Sequence, residues 1–337
     1  VSASPSPKRP APSANLPDGI LLDRYRIARR ISSGGFSTVY LAQDAEGQPV
    51  AIKEYMPSTL AYRPEGSLSP RIPAQSLRSY QMGLRSFFEE GRTLALINHP
   101  NIVRVLNFFR ANDTVYMVMQ YESGLSLQEH VLRNRNTDRP GVLSEGFIRR
   151  VFAEVLDGLR EVHSNRLLHL DIKPANIYLR MDGTPILLDF GAARQTLQRD
   201  TKGLVPMYTP GFAAPELYNR DAELGAWTDV YGVGACMYAC MAARPPQESP
   251  QRLKGDHLPV LLAKLQGVYS QELIGLVERC LRLNSLERPQ DISQVQRALL
   301  NVPVQHKPTL GEVAAIQLRA LRQRVQLFVQ KHEITWF

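Results

Sequence analysis

Hydrophobic and polar positions change their rhythm several times along the chain, and each change predicts a different kind of element. From Tyr25 the pattern breaks into short runs, Arg26 to Ile31, Thr38 to Leu41 and Val50 to Glu54, separated by Gly34-Gly35 and Glu46-Gly47. Such runs between glycine-bearing turns predict an antiparallel meander. Phe87, Leu94 and Ile97 share one face at helical spacing, which predicts a helix over about 87–97, ended by His99-Pro100-Asn101. Strand-like runs follow at Ile102 to Phe109 and Val115 to Tyr121, and Gly124 interrupts the chain where a linker between lobes belongs. Beyond it Phe147, Ile148, Val151, Val155, Leu159 and Val162 recur every three or four residues, so the remainder reads as mainly helical. A β-hairpin, Asn176 to Leu179 and Pro185 to Phe190 with Asp182-Gly183 at its turn, stands between that helix and the later ones. No internal repeat is visible. The class implied is α+β: a small antiparallel β lobe followed by a larger, mainly helical lobe.

Other segments carry no such rhythm. Val1 to Gly19 holds Pro5, Pro7, Pro10, Pro12 and Pro17 among serines and alanines, too little apolar surface to offset ordering entropy, and reads as a flexible leader. Met56 to Arg85 contains Pro57, Pro64, Pro70 and Pro73, cannot be one continuous helix, and behaves as an insertion before the first helix. Near the end, Thr309 to Lys331 reads as an amphipathic helix, with Leu310, Val313, Leu321, Val325 and Phe328 on one face and Arg319, Arg322 and Arg324 interspersed. It would pack on the helical lobe, dock a partner or inhibit, or touch an anionic membrane.

Composition narrows the classes. The 337 residues fit one bilobed unit or two ordinary domains, and 44% hydrophobic with 21% charged residues suits a soluble globular protein. No uncharged apolar run approaches the roughly 18 residues of a spanning helix, and Val230 to Ala243 reads as a buried helix instead. The net charge of +8 is spread along the chain without interleaved aromatics, so no nucleic-acid partner is expected, and the mildly basic surface would suit acidic substrates or an anionic partner equally. Cys236, Cys240 and Cys280 have no disulfide spacing, and no apolar secretory segment opens the chain, which points to a reducing cytoplasm. Cys236 and Cys240 lack further ligands at a metal spacing and read as small buried side chains.

The candidate chemistry lies in three strings. Val50-Ala51-Ile52-Lys53 ends an apolar strand in a lysine after a glycine-bearing loop, where the ammonium can reach the α and β phosphates of ATP, and Glu90 is the carboxylate expected to hold it. His169-Leu170-Asp171-Ile172-Lys173-Pro174-Ala175-Asn176 is followed across the hairpin by Asp189-Phe190-Gly191. In these, Asp171 suits proton acceptance from a substrate hydroxyl, Lys173 stabilisation of the transferring group, and Asn176 and Asp189 the hard-oxygen ligation of Mg²⁺ or Mn²⁺.

With these motifs the chain resembles the Hanks-type, or eukaryotic-like, serine/threonine protein kinases, from about Tyr25 to Leu300. Glu-Tyr-Met-Pro after Lys53, and leucine at 170, are similar to proteobacterial members. The resemblance implies the bilobed kinase fold, with residues 20–122 and 123–300 as its lobes, a leader 1–19 and a tail 301–337. It implies ATP contacts at Ile31, Ser32, Ser33, Gly34, Gly35, Phe36, Ser37, Val39, Ala51, Lys53, Glu90, Met119, Gln120, Glu122 and Tyr178. It also implies that Ala214-Pro215-Glu216 closes an activation segment holding Thr196 and Thr201, that Glu216 pairs with Arg288, and that Asp229 anchors the catalytic loop. Leu94, His169 and Phe190 would join an apolar spine, and Thr209 would meet Lys173 and the substrate backbone. Partners implied are protein substrates and a cognate phosphatase.

Two departures stand out. Ser32-Ser33-Gly34-Gly35-Phe36-Ser37 keeps only the central glycine of the family's G-x-G-x-x-G, and Leu170 replaces the arginine that often precedes the catalytic aspartate. Rival readings are a pseudokinase, a small-molecule phosphotransferase of the same fold, and a scaffold or nucleic-acid binder. The intact Lys53, Glu90, Asp171, Asn176 and Asp189 argue against the first, and Ala214-Pro215-Glu216 with Thr209 against the second.

Overall fold

The computed structural model describes residues 15–135, 143–190, 209–219 and 221–300. Strands β1 (Leu21–Leu22), β2 (Tyr25–Ser33), β3 (Ser37–Gln43), β4 (Pro49–Tyr55), β5 (Val105–Ala111) and β6 (Thr114–Gln120) form one antiparallel sheet in the order β1-β2-β3-β4-β6-β5. β4 is interior, with Lys53 opposite Val39 of β3 and Met117 of β6. The β5–β6 turn is Asn112-Asp113, with φ of 49° and 57°, the doubly left-handed geometry that a two-residue hairpin needs and that Asn and Asp tolerate.

Strand alternation sends Tyr40, Ala42, Val50, Ile52, Tyr116 and Val118 to the sheet's outer face, where they are buried rather than solvated. The cover comes from both proline-rich segments. Leu16 of the leader is 2% exposed and its N–H donates to the Tyr40 hydroxyl at 3.2 Å, so the expectation of flexibility through Gly19 is corrected from Leu16 onward. Leu68 of the insertion packs on the same cluster. The insertion is folded back on itself by paired hydrogen bonds between Tyr62 and Arg71 and tied to β4 through buried Arg63 and Glu54.

Helix α1 runs Leu77–Leu94, beginning ten residues before the expected Phe87. Pro73 is the last helix-breaking residue of the insertion, and Tyr80, Leu84, Phe87 and Leu94 continue one buried stripe at spacings of four, three and seven. β5 in turn begins at Val105 rather than Ile102. Residues 101–103 are drawn instead to the later hairpin, where Val103 N–H donates to Leu187 at 3.0 Å and Leu187 N–H to Asn101 at 2.8 Å.

The mainly helical part opens with β7 (Gly124–Ser126), which pairs with β8 (Ile177–Arg180), itself paired with β9 (Pro185–Leu187). Helix α2 (Leu127–Arg133) is closed by a Ser126–Glu129 capping box, and Ser144 caps α3 (Glu145–Ser164). Helix α4 (Ala226–Ala242) is buried along nearly all its length, as a continuously apolar helix must be. A Cβ at its Gly232 would stand 2.9 Å from the Ile172 side chain, so glycine lets α4 approach the loop that carries Asp171. Cys236, Cys240 and Cys280 are buried free thiols, and burial pushes each one up. Among the described residues no helix is long and apolar enough to cross a membrane.

Candidate active site

Between the sheet and the β8–β9 hairpin lies a cleft lined by Ile31, Ser32, Val39, Ala51, Met119, Gln120, Tyr121, Glu122, Tyr178 and Asp189, together with Val103 and Leu188. The last two were missed in the sequence. Each is an apolar residue just outside a strand, Val103 before β5 and Leu188 directly after Leu187 of the hairpin, so its facing depends on the displaced start of β5 and on the hairpin's register, which alternation alone does not fix. Met119 and Ala51 are register partners across β4 and β6. The Glu122 carboxylate is held bidentately by Arg180 at 2.9 and 2.9 Å, which fixes the segment joining the two lobes to β8. A separate groove lined by Leu77, Leu84 and Arg110 lies beyond α1, away from these residues.

Asp171, 8% exposed, is the hub of a hydrogen-bonded cluster at the cleft's mouth. Lys173 Nζ donates to Asp171 Oδ2 at 2.8 Å and to Thr209 Oγ1 at 3.2 Å, and Thr209 Oγ1 donates to Asp171 Oδ1 at 3.3 Å. Asn176 Nδ2 donates to the Asp171 carbonyl at 2.9 Å and to Oδ2 at 3.0 Å. The structure thus brings together Asp171, Lys173, Asn176 and Thr209 from positions up to 38 residues apart.

Asp229 holds this loop from beneath. Its carboxylate accepts N–H bonds from His169 at 2.8 Å and Leu170 at 2.7 Å, and lies 2.8 Å from His163 Nε2. Burial acts to raise this carboxyl, but the His163 contact and the backbone donors outweigh it and keep it below the ordinary range. His163 was not singled out in the sequence, because a polar residue at a helix end gives no sign of a partner 66 residues on. His169 is fully buried, held below its usual value by desolvation, and stacks on Phe190 at 4.4 Å. Leu94 lies in the same core cluster as Phe190.

Lys53 requires a correction. Its ammonium lies 3.1 Å from Asp189 Oδ1 rather than on Glu90, and 5.6 Å from the centroid of the Phe87 ring. Phe87 precedes Glu90 by one helical turn, so α1 presents an aromatic face to the amine while Glu90 itself is buried at 4% exposure. Glu216 and Arg288 form a buried bidentate pair at 2.7 and 3.0 Å. Gly191, Thr196, Thr201 and the segment 309–331 lie outside the described residues.

The donor set suits a divalent cation that arrives with phosphate. Asn176 uses its amide nitrogen on Asp171 and on the Asp189 main-chain carbonyl at 3.3 Å, which would leave its amide oxygen, a hard donor, for a cation shared with the Asp189 carboxylate. Among the described residues no group of three or more His, Cys, Asp and Glu side chains could hold a metal unaided. A divalent cation held through Asn176 and Asp189 would draw its remaining ligands from water and phosphate oxygens.

Comparison with known proteins agrees with this geometry. Residues 25–300 match the family described as protein kinase domain. Among similar curated proteins, serine/threonine-protein kinase pkn2 of Myxococcus xanthus is 26% identical over 84% of this chain and 33% of its own length. Serine/threonine-protein kinase PkaA of Streptomyces coelicolor is 28% identical over 79% of this chain and 48% of its own. The chain therefore spans a third to a half of those relatives. The solved apo form of PpkA-294 is 35% identical with a TM-score of 0.75, covering 85% of this chain and 100% of that one. The PknI kinase domain of Mycobacterium tuberculosis, 21% identical with a TM-score of 0.60 over 85% of this chain and 98% of its own, shares the fold. The chain belongs to the protein kinase family, as a Hanks-type serine/threonine kinase domain of the bacterial kind.

Proposed function

We propose that this protein transfers the γ-phosphoryl group of ATP to serine and threonine hydroxyls of other proteins, and to its own, in bacterial signalling. The observation that carries the reading is the Asp171–Lys173–Thr209 triangle. It sets a carboxylate for the acceptor's proton, a cation for the transferring group and a hydroxyl from the segment leading to Ala214-Pro215-Glu216 within hydrogen-bond reach of one another. The acceptor hydroxyl would displace Thr209 from Asp171 Oδ1 or share that oxygen with it, and Lys173 would neutralise charge as it spreads over the phosphoryl oxygens. Lys53 would hold the α and β phosphates, and the cleft from Ile31 to Leu188 the adenine. Mg²⁺ or Mn²⁺ held through Asn176 and Asp189 would screen phosphate charge.

A protein acceptor is favoured because Thr209 belongs to the segment that runs into Glu216, which Arg288 clamps to the helical lobe. Three buried free thiols support a reducing cytoplasm. Protein substrates, a cognate phosphatase and a docking or membrane-contact role for residues 309–331 complete the proposal.

The test is transfer of labelled γ-phosphate to the protein itself and to a generic basic protein. Lys53→Met and Asp171→Ala should each lower the rate by at least about a hundredfold, since charge stabilisation and proton handling each contribute several kcal/mol in such sites. Near-normal turnover in both folded variants would remove the assignment.

A further inference from the structure

The phosphate-side loop has lost two of three motif glycines, yet it is gripped from outside by residues with no assigned role. Where β4 ends, the chain does not turn away: Met56 N–H donates to the Phe36 carbonyl at 3.1 Å and Ser58 N–H to the Gly35 carbonyl at 2.9 Å. Ser58 Oγ donates to the same Gly35 oxygen at 3.2 Å. The start of the insertion thus prolongs the β3–β4 ladder past Ser37–Tyr55 and clasps the loop's tip. The Phe36 ring also stands edge-on to Tyr55 at 5.7 Å, and Tyr55 packs on Tyr80 at 5.1 Å and Phe87 at 5.6 Å. Tyr55 is fully buried and doubly fixed, its hydroxyl donating to the Tyr80 carbonyl at 3.2 Å and its own carbonyl accepting from Thr114 Oγ1 at 2.6 Å. Phe87 in turn faces the Lys53 ammonium.

A glycine-rich loop approaches phosphate because its backbone is permissive, and it keeps whatever position the ligand gives it. Serine at 32, 33 and 37 narrows that freedom. The clasp supplies an alternative: a loop tip placed in advance by hydrogen bonds and an aromatic contact loses less entropy when phosphates bind. We propose that Ser58 and Phe36 are positioning residues for the nucleotide's phosphates, the Ser58 clasp and the Phe36 contact with Tyr55 holding the loop over the site that Lys53 and Asp189 define.

This inference rests on the cleft binding ATP, and the experiment separates the two claims. Ser58 is the second residue of a turn closed by Leu60 N–H donating to the Pro57 carbonyl at 3.0 Å, a position that accepts proline, so Ser58→Pro removes the donor without opposing the turn. Phe36→Ala removes the ring, and Phe36→Tyr restores it. ATP and adenosine affinities are measured by calorimetry on the full chain, with KM for ATP and kcat alongside and thermal midpoints as a folding control. Losing an edge-on aromatic contact or a backbone clasp should weaken ATP binding about five- to tenfold. KM should change more than kcat, adenosine binding should hold within about twofold because it lacks phosphates, and Phe36→Tyr should recover most of the loss. If ATP affinity stays within about twofold in both Phe36→Ala and Ser58→Pro, or adenosine weakens in parallel, the positioning role is wrong. If the parent protein binds neither ligand, the functional reading itself fails.

Discussion

Arg288 offers the most quantitative test of how the helical part holds the segment ahead of Glu216. Every N–H of its guanidinium is used. Nη1 and Nη2 donate to the two Glu216 oxygens at 2.7 and 3.0 Å, Nη1 also to Trp227 at 3.1 Å, Nη2 to Leu283 at 3.1 Å and Nε to Arg282 at 2.7 Å. Its charge also lies 5.0 Å from the Tyr231 ring centroid. Arg288→Met keeps much of the volume but leaves the Glu216 carboxylate, 8% exposed, without its cation. Breaking a buried pair from one side costs about 3–5 kcal/mol, and three carbonyls lose donors as well. At about 2–4 °C per kcal/mol for a domain of this order, the thermal midpoint should fall by roughly 10 °C or more. Arg288→Lys keeps the charge but not the fork, and should fall between the parent and the methionine variant. Adding Glu216→Gln to Arg288→Met should recover part of the loss, because the unpaired charge is then gone. Differential scanning fluorimetry with urea titration at neutral pH reads all four proteins. A drop under about 3 °C for Arg288→Met would show that solvent reaches Glu216 and that the pair is not a structural clamp.

The remaining expectations concern charge at three other places. Asp229 has a depressed carboxyl, so its contribution is present above the unfolded value near 4 and is lost as pH falls through the lower folded value; the stability gap between parent and Asp229→Asn should be constant from about pH 6 to 8 and narrow on acidification, and a gap that widens would contradict the assignment. Arg63→Met, which strands the fully buried Glu54, should cost about 3–5 kcal/mol in urea unfolding, with Arg63→Met/Glu54→Gln recovering part of it; no recovery would mean that the volume of Arg63, and not the charge of Glu54, sets the loss. Activity should not depend strongly on phosphate at Thr196 and Thr201, because the Leu170 side chain offers no donor to a phosphate; a loss beyond about a hundredfold, about 2.7 kcal/mol of barrier, in Thr196→Ala/Thr201→Ala and in a phosphatase-treated parent would show another basic group in that role.

What was legible in the sequence was what depends on local order. The string from His169 to Asn176 and the hairpin to Asp189 fix one another's spacing, so Asp171, Lys173 and Asn176 could be read as one group before any coordinates. Partner choice was less legible. A lysine at the end of β4 has acidic candidates on α1 and after β9, and which one it meets depends on how far α1 sits from the sheet, a tertiary quantity set by packing of Phe87 and Tyr80 on Tyr55. The helix start was misjudged because four prolines coloured the reading of a whole segment, whereas the last of them, Pro73, leaves Leu77 to Arg85 free to continue the buried stripe. Glu54 was not singled out at all. As the residue after Lys53 at the end of a strand it gives no sign of its surroundings, and only the insertion and Leu16 turn that face into an interior. There the carboxylate takes Arg63 and the hydroxyls of Tyr40 and Tyr116 at 3.2 and 2.8 Å, a satisfied network in which no single sequence window contains more than a fragment.

The Leu170 departure acquires a physical sense from the same view. Leu170 has φ of 61°, a left-handed conformation that a branched apolar residue resists by roughly 1–2 kcal/mol. Its own N–H donation to Asp229 Oδ1 at 2.7 Å offsets that cost, since a hydrogen bond to a buried carboxylate is worth about 1.5–3 kcal/mol. His169 adds a second backbone donor to Asp229 and the stack on Phe190, and Asn176 returns to the Asp171 carbonyl. The turn that aims Asp171 is therefore over-determined from the interior, by groups whose charge comes from Asp229 and not from a phosphate. Where an arginine would couple this turn to an activation-segment phosphate, the internal anchors make that coupling unnecessary for the geometry.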